Sequence, residues 1–206
     1  MVISLTDAGK RFGYEWVFRG LTYRFETGTR YALTGPNGSG KSTVMKVLSG
    51  HLSLSKGEIR FEENGQALEA DQVYRKVSMA APYIELIEEL TLHELVHFHA
   101  HLRPFRAGWA PEEVFEVLQL GRARHKALRF FSSGMKQRVR LALAICTEAP
   151  ILLLDEPTTN LDAAGAGWFA ELLEAHSSDR IVVVASNVAG DLQQCTQALS
   201  VLDYKP

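Results

Sequence analysis

The sequence predicts an α/β fold: a largely parallel sheet flanked by helices, with a helical insert in the middle of the chain. Three observations carry this. Tyr31-Ala32-Leu33, Ile151–Leu154 and Ile181–Val184 are short continuous apolar runs, as strands buried on both faces require. Helical patterns separate them, at Ser42–Leu48, Leu92–Leu102, Pro111–Leu118, Met135–Thr147 and Gly165–Ala175. From Pro82 to Phe131 the chain offers helices but no convincing strand.

The elements follow in chain order. Leu21, Tyr23 and Phe25 alternate with Thr22, Arg24 and Glu26, the pattern of a half-buried strand in an antiparallel sheet. Tyr31-Ala32-Leu33 then runs into Gly35-Pro36-Asn37-Gly38-Ser39-Gly40-Lys41-Ser42, a full match to G-x-x-x-x-G-K-[ST]. A strand enters this loop and a helix leaves it, the context in which backbone N–H groups turn inward around phosphates. Lys41 then supplies a point charge for the β- and γ-phosphates, and the Ser42 hydroxyl a ligand for Mg²⁺. Val77–Ala81 reads as a further strand. Thr91 with Glu94 reads as a capping box, and Pro111 with Glu112 and Glu113 as another helix start. Ile151–Leu154 ends in Asp155-Glu156, at the carboxyl end of a buried strand, where ligands bind in open α/β sheets. Asp155 suits Mg²⁺, directly or through water, and Glu156 suits the deprotonation of an attacking water.

Composition excludes several classes. The 206 residues are 46% hydrophobic and 22% charged, which rules out a disordered or fibrous chain. A net charge of -2 provides no global basic field for nucleic acid. No run approaches the roughly 18–20 apolar residues that span a bilayer. Met1–Lys10 lacks the basic-then-apolar pattern of a signal peptide. Cys146 and Cys195 are read as reduced thiols. With no repeat or linker, residues 1–206 are expected to form one unit, its core about 1–81 and 132–206 and its helical subdomain about 82–131.

Phe131-Ser132-Ser133-Gly134-Met135-Lys136-Gln137-Arg138 resembles the LSGGQ signature of ABC ATPases, and Thr159-Asn160-Leu161-Asp162 resembles that family's D-loop. Four motifs occur in the family's order and spacing, over about Val2 to Asp203. The resemblance implies a RecA-like P-loop NTPase core with an antiparallel β subdomain and a helical subdomain insert. It implies ATP and Mg²⁺ as ligands, with Gly35, Pro36, Asn37, Gly38, Ser39, Gly40, Lys41, Ser42 and Thr43 holding nucleotide and Ser42 and Asp155 holding metal. It further implies a homodimer in the ATP-bound state. There Ser132, Ser133, Gly134 and Asp162 meet the ATP held by the partner's Lys41. Phe12 lies where the family often stacks an aromatic on adenine, and Tyr14 and Trp16 are rivals for that role.

Two departures stand out. The family's Gln after the Val77–Ala81 strand is replaced by Pro82 or Tyr83. Its switch His, after the last core strand, is replaced by Asn187, which can donate a hydrogen bond but carries no charge. The signature also reads Ser133 for Gly and Met135 for Gln. These changes bear on turnover, not on ATP binding.

The remaining features read as surface. His93, His97 and His101 share one helical face, His99 lies on the same helix, and Arg122, Arg124, Lys126 and Arg129 form a basic run. Glu85, Glu88 and Glu89 form an acidic patch suited to a basic loop of a partner. The expectation is a cytoplasmic ATPase with catalytic Glu156, Lys41 and Asn187. It would lie peripheral to the inner face of the cell membrane, powering a separate integral membrane permease, with no nucleic-acid partner and no direct membrane insertion. A nucleotide-gated module with slow hydrolysis is the alternative.

Overall fold

The computed structural model describes residues 1–106 and 108–205. Its strands sort into two sheets. The antiparallel sheet, in the order β2-β1-β4-β5, is built from β1 (Val2–Phe12), β2 (Glu15–Glu26), β4 (Lys56–Glu63) and β5 (Gln66–Ala67). The second sheet, in the order β6-β7-β8-β3-β9, comprises β3 (Arg30–Thr34), β6 (Val77–Ala80), β7 (Ile151–Asp155), β8 (Ile181–Ala185) and β9 (Gln197–Ser200), and every neighbouring pair in it is parallel. The helices are α1 (Lys41–Leu48), α2 (Ala70–Lys76), α3 (Leu92–Leu102), α4 (Pro111–Leu118), α5 (Ser133–Cys146), α6 (Ala163–His176) and α7 (Ala189–Leu192). Thus the α/β architecture with an antiparallel sheet is as expected, and α3, α4 and α5 lie between β6 and β7.

Leu21 and Phe25 are buried along β2 while Thr22, Arg24 and Glu26 face solvent, so the alternation reads correctly. The pairing partner β1 escapes periodicity for a physical reason. Asp7 adopts a positive φ of 45°, and the register slips between Leu5 and Ala8, so the inward side chains lose their period of two. Gly57 on β4 meets this bulge. A Cβ there would lie 2.3 Å from the Asp7 carbonyl oxygen, so only glycine allows the strands to close.

Alternate residues of β7 and β8 feed two cores. Leu152, Leu154, Val182 and Val184 join α5, α6 and Leu92, Val96, Val114, Leu118 and Leu128. Ile151, Leu153, Ile181 and Val183 join Val44, Met45 and Leu48 of α1 and Ile3, Phe18 and Phe25 of the antiparallel sheet. The capping box at Thr91 forms as predicted: Glu94 N–H donates to Thr91 Oγ1 at 3.2 Å, and Thr91 N–H donates to Glu94 Oε2 at 2.8 Å. Cys146 and Cys195 are free thiols, and burial pushes them up to about 12 and about 11.

Among the described residues no helix is long and apolar enough to cross a membrane. The α3 imidazoles divide. His97 Nδ1 and His101 Nδ1 pair with the carbonyls of His93 and His97 on their own helix, at 2.9 and 2.7 Å. His99 turns inward to Thr147 Oγ1 at 2.7 Å, and burial lowers it to about 4. The acidic patch is partly committed, since Glu88 pairs with Lys136 at 2.5 Å. In the basic run, Arg124 covers Phe115 at 4.0 Å and pairs with Glu112 at 3.3 Å.

Candidate functional site

The glycine-rich loop connects β3 to α1 at the carboxyl end of the parallel sheet. Gly35 and Gly40 hold φ of 141° and 107°, and added Cβ atoms would lie 2.6 Å from Ser39 Oγ and 2.5 Å from Val17 Cγ1. The loop therefore needs bare backbone at both ends. α1 begins with no side-chain cap, so its first N–H groups lack the usual partner and form an anion-binding terminus. Ser39 Oγ is buried with no partner among the described residues. Asn37 stands exposed at the tip, and Ser42 and Thr43 open the helix.

Lys41 is buried, and its ammonium donates to the Gly35 carbonyl at 2.7 Å, to the Pro36 carbonyl at 3.4 Å and to Asn187 Oδ1 at 3.0 Å. Asn187 in turn donates to Asn37 Oδ1 at 2.5 Å. Glu156 Oε1 lies 3.9 Å from the same ammonium. Sequence placed Lys41, Glu156 and Asn187 on three separate segments, and the fold brings them together around one nitrogen. Asn187 belongs to the loop after β8, which is β3's neighbour, so the parallel pairing delivers it.

Asp155 and Glu156 are adjacent but diverge. Asp155, 2% exposed, ends β7, and Glu156 turns with a positive φ of 48° while its N–H donates to the Ala185 carbonyl at 2.7 Å. A left-handed non-glycine backbone is uncommon and concentrates at functional sites. Burial raises the Asp155 carboxyl, opposed by a hydrogen bond from Ser42 and by the charges of Lys41 and Lys46. Its Oδ2 is buried without a partner among the described residues. A buried carboxylate oxygen with no donor, beside a serine hydroxyl and the phosphate loop, is the donor set a hard cation such as Mg²⁺ takes.

Tyr83 occupies the region where a carboxamide was sought. Its ring lies 4.4 Å from the Lys46 ammonium, and burial, followed by the Asp155 charge, raises its phenol well above the usual range. Sequence reasoning treated Pro82 or Tyr83 as the absence of Gln and missed that the Tyr83 ring meets Lys46 and feels the Asp155 charge. It also missed Ser186 and Asp191: Ser186 Oγ lies 2.6 Å from Asp191 Oδ2 and 3.3 Å from Glu156 Oε2. Neither residue type nor spacing marks that pair.

Ser132, Ser133, Gly134, Asn160 and Asp162 line a separate cavity of about 350 Å³, which contains no residue of the glycine-rich loop. Ser132 Oγ accepts from Met135 N–H at 3.2 Å and caps α5, while Asp162 Oδ1 accepts from Gly165 N–H at 2.7 Å and caps α6. A Cβ at Gly134 would lie 2.9 Å from the Asn160 carbonyl, so the backbones at Gly134 and Asn160 touch. Gln137, buried on α5, donates to the Pro157 carbonyl at 2.8 Å and ties the signature helix to the turn after Glu156.

Of the three aromatic residues, Phe12 is 55% exposed with Lys10 Nζ at 5.3 Å, and Tyr14 is exposed at the hairpin turn. Trp16 is half-buried, with Arg11 and Arg19 guanidiniums at 5.6 and 5.4 Å from its ring. Neither Phe12 nor Tyr14 is a core ring. The neighbouring Val17, against Gly40, brings the β1–β2 hairpin to the loop.

Comparison with known proteins matches residues 18–159 to the ABC transporter family. The cytochrome c biogenesis ATP-binding export protein CcmA of Chelativorans sp. (strain BNC1) is 32% identical over 184 residues, 87% of this chain and 87% of that protein. The daunorubicin resistance ATP-binding protein DrrA3 of Streptomyces coeruleorubidus is 32% identical over 206 residues, and the match spans 98% of this chain but 65% of DrrA3. A solved ATP-binding subunit of an ABC transporter superposes with a TM-score of 0.83 at 24% identity, over 97% of this chain and 85% of that one. The family match contains the glycine-rich loop, the signature-like segment and the Asp155-Glu156 strand end, and it extends over well more than half of the chain: the protein belongs to the ABC transporter family, among its ATP-binding subunits.

Proposed function

We propose that the protein binds and hydrolyses ATP with Mg²⁺ and thereby powers a separate membrane permease, at whose cytoplasmic side it works. The observation that carries this reading is the convergence of Lys41, Asn187 and Glu156 beside the Asp155–Ser42 pair at the mouth of the phosphate loop. Lys41 exchanges carbonyl partners for phosphate oxygens and neutralises them. Ser42 and Asp155 would hold Mg²⁺, which supplies further neutralisation of the β- and γ-phosphate oxygens when bound. Glu156 accepts the proton of the attacking water, and the Asn187 amide donates to a phosphate oxygen in place of an imidazole. Phe12 is the proposed adenine platform, with Tyr14 as its alternative.

The permease is proposed to dock at the groove between the insert and the core. Ile87, Phe98 and Leu102 are exposed there, beside Glu85 and Arg103, around a cavity of about 250 Å³. Exposed apolar side chains clustered in one groove mark an interaction surface.

Two copies are proposed to sandwich ATP head to tail, with the cavity at Ser132, Ser133, Gly134 and Asp162 facing the phosphate loop of the partner. Sizing chromatography tests it. A monomer is expected without nucleotide and a dimer with Mg-ATP, because ligand and association are linked. Ser132→Arg is expected to abolish both the dimer and steady-state phosphate release. A dimer indifferent to ATP and to that substitution contradicts the sandwich.

Tyr83 beside Asp155 and Asn187 at Lys41 favour a second reading, a nucleotide-gated module with slow turnover. Asn187 variants separate the two. A protonated imidazole gives a charge-assisted hydrogen bond about twice as strong as a neutral one. Asn187→His is therefore expected to raise single-turnover hydrolysis several-fold, and Asn187→Ala to lower it with ATP affinity nearly intact. Equal rates in all three proteins place Asn187 outside the reaction.

A further inference from the structure

We infer that Asp191 is a positioning residue for Glu156, acting through the Ser186 hydroxyl; the inference rests on the reading of Glu156 as general base. Ser186 and Asp191 are 2% and 4% exposed. Ser186 Oγ lies 2.6 Å from Asp191 Oδ2 and 3.3 Å from Glu156 Oε2, and it accepts from Val188 N–H at 3.0 Å. A hydroxyl has one proton and two lone pairs. Facing two carboxylates, it can donate to only one of them. The 2.6 Å contact falls in the range of short charge-assisted bonds, whereas 3.3 Å is long for any O–H···O bond. The proton is committed to Asp191. One lone pair takes the Val188 N–H, and the other is left toward Glu156.

Two consequences follow for the base. Glu156 receives no donor from Ser186, so Oε2 keeps its capacity to accept a proton from water. Once that proton has moved from water oxygen to Glu156, the new O–H finds an acceptor in the lone pair on Ser186. The remaining oxygen, Oε1, faces Lys41 at 3.9 Å. Support of the fold alone does not account for this carboxylate, because Asp191 Oδ1 is buried with no partner among the described residues, which costs stability. Without Asp191, the nearest carboxylate for the Ser186 proton is Glu156 itself. The hydroxyl then turns and occupies the base.

Hydrolysis of Mg-ATP by the full chain tests this through a distinctive sign. Asp191→Ala is expected to lower kcat about tenfold with KM unchanged, a factor typical of one lost hydrogen-bond preference in a transition state. Adding Ser186→Ala to it removes the misdirected donor, and part of the rate is expected to return, short of wild type because the Ser186 lone pair is lost as well. Asp191→Asn, whose carboxamide oxygen still accepts from Ser186, is expected to lose no more than about threefold. If Asp191→Ala does not fold, Asp191→Leu, closer in size and equally without an acceptor, takes its place. A double variant as slow as the single one, with unchanged thermal unfolding, overturns the inference. Glu156→Gln is run beside them. If it hydrolyses like wild type, the base reading falls and this inference with it. If it is inactive, the Asp191 series judges the inference alone.

Discussion

Glu156→Gln is expected to reduce ATP turnover by about 10²–10⁴-fold, the usual contribution of a positioned general base. Gln matches Glu in shape and can still orient water, but it cannot take the proton. The side chain lies between Lys41 Nζ and Ser186 Oγ, at 3.9 and 3.3 Å, and Gln fills the same space. ATP affinity should therefore persist. Because the proposed sandwich opens only after the γ-phosphate leaves, the variant should accumulate as an ATP-bound dimer on sizing chromatography. Phosphate release at the wild-type rate assigns the base elsewhere.

Lys41→Ala is expected to weaken ATP binding by about 30-fold or more, from the loss of about 2–5 kcal/mol when one partner of a buried charge pair is removed. The structure adds a second cost. Lys41 is the common donor to the Gly35 and Pro36 carbonyls and to Asn187 Oδ1, so its removal also leaves the loop and the Asn187 segment without their shared anchor. Fluorescent-nucleotide titration measures the effect, and unchanged affinity overturns the phosphate-loop reading. Lys41→Arg is a useful companion. A planar, larger guanidinium cannot reproduce three bonds from one tetrahedral nitrogen, so little affinity should return.

The parts of the fold legible in sequence are those set by local pattern. β7 and β8 are buried on both faces and read as continuous apolar runs, and the loop between β3 and α1 is marked by residues that only a phosphate cradle needs in that order. β1 was missed because the Asp7 bulge breaks its alternation, and β4 because it carries Lys56, Glu58 and Arg60 on a largely exposed strand. β9, exposed at Gln197 and Ala198, has too few buried side chains to announce itself. At the site, motif residues were legible and their supports were not. Ser186 and Asp191 are common residue types five apart, and only the turn after β8 sets Ser186 between Asp191 and Glu156. Tyr83 illustrates the reverse. Sequence registered a missing carboxamide, while the fold puts an aromatic ring against Lys46, within the field of Asp155.

The division of β7 between two cores has a mechanical consequence. Leu152 and Leu154 share a cluster with α3 and α4 residues such as Val96 and Leu118, while Ile151 and Leu153 share one with α1 and the antiparallel sheet. The same strand ends in Asp155. Protein interiors packed at crystalline density transmit strain instead of absorbing it. Buried α3 and α4 side chains and the strand that carries Asp155 therefore belong to one packed cluster. The side chains of β7 sit like teeth on both faces of one bar, so a change in the packing of Val96 or Leu118 is expected to be felt at the strand end that carries Asp155.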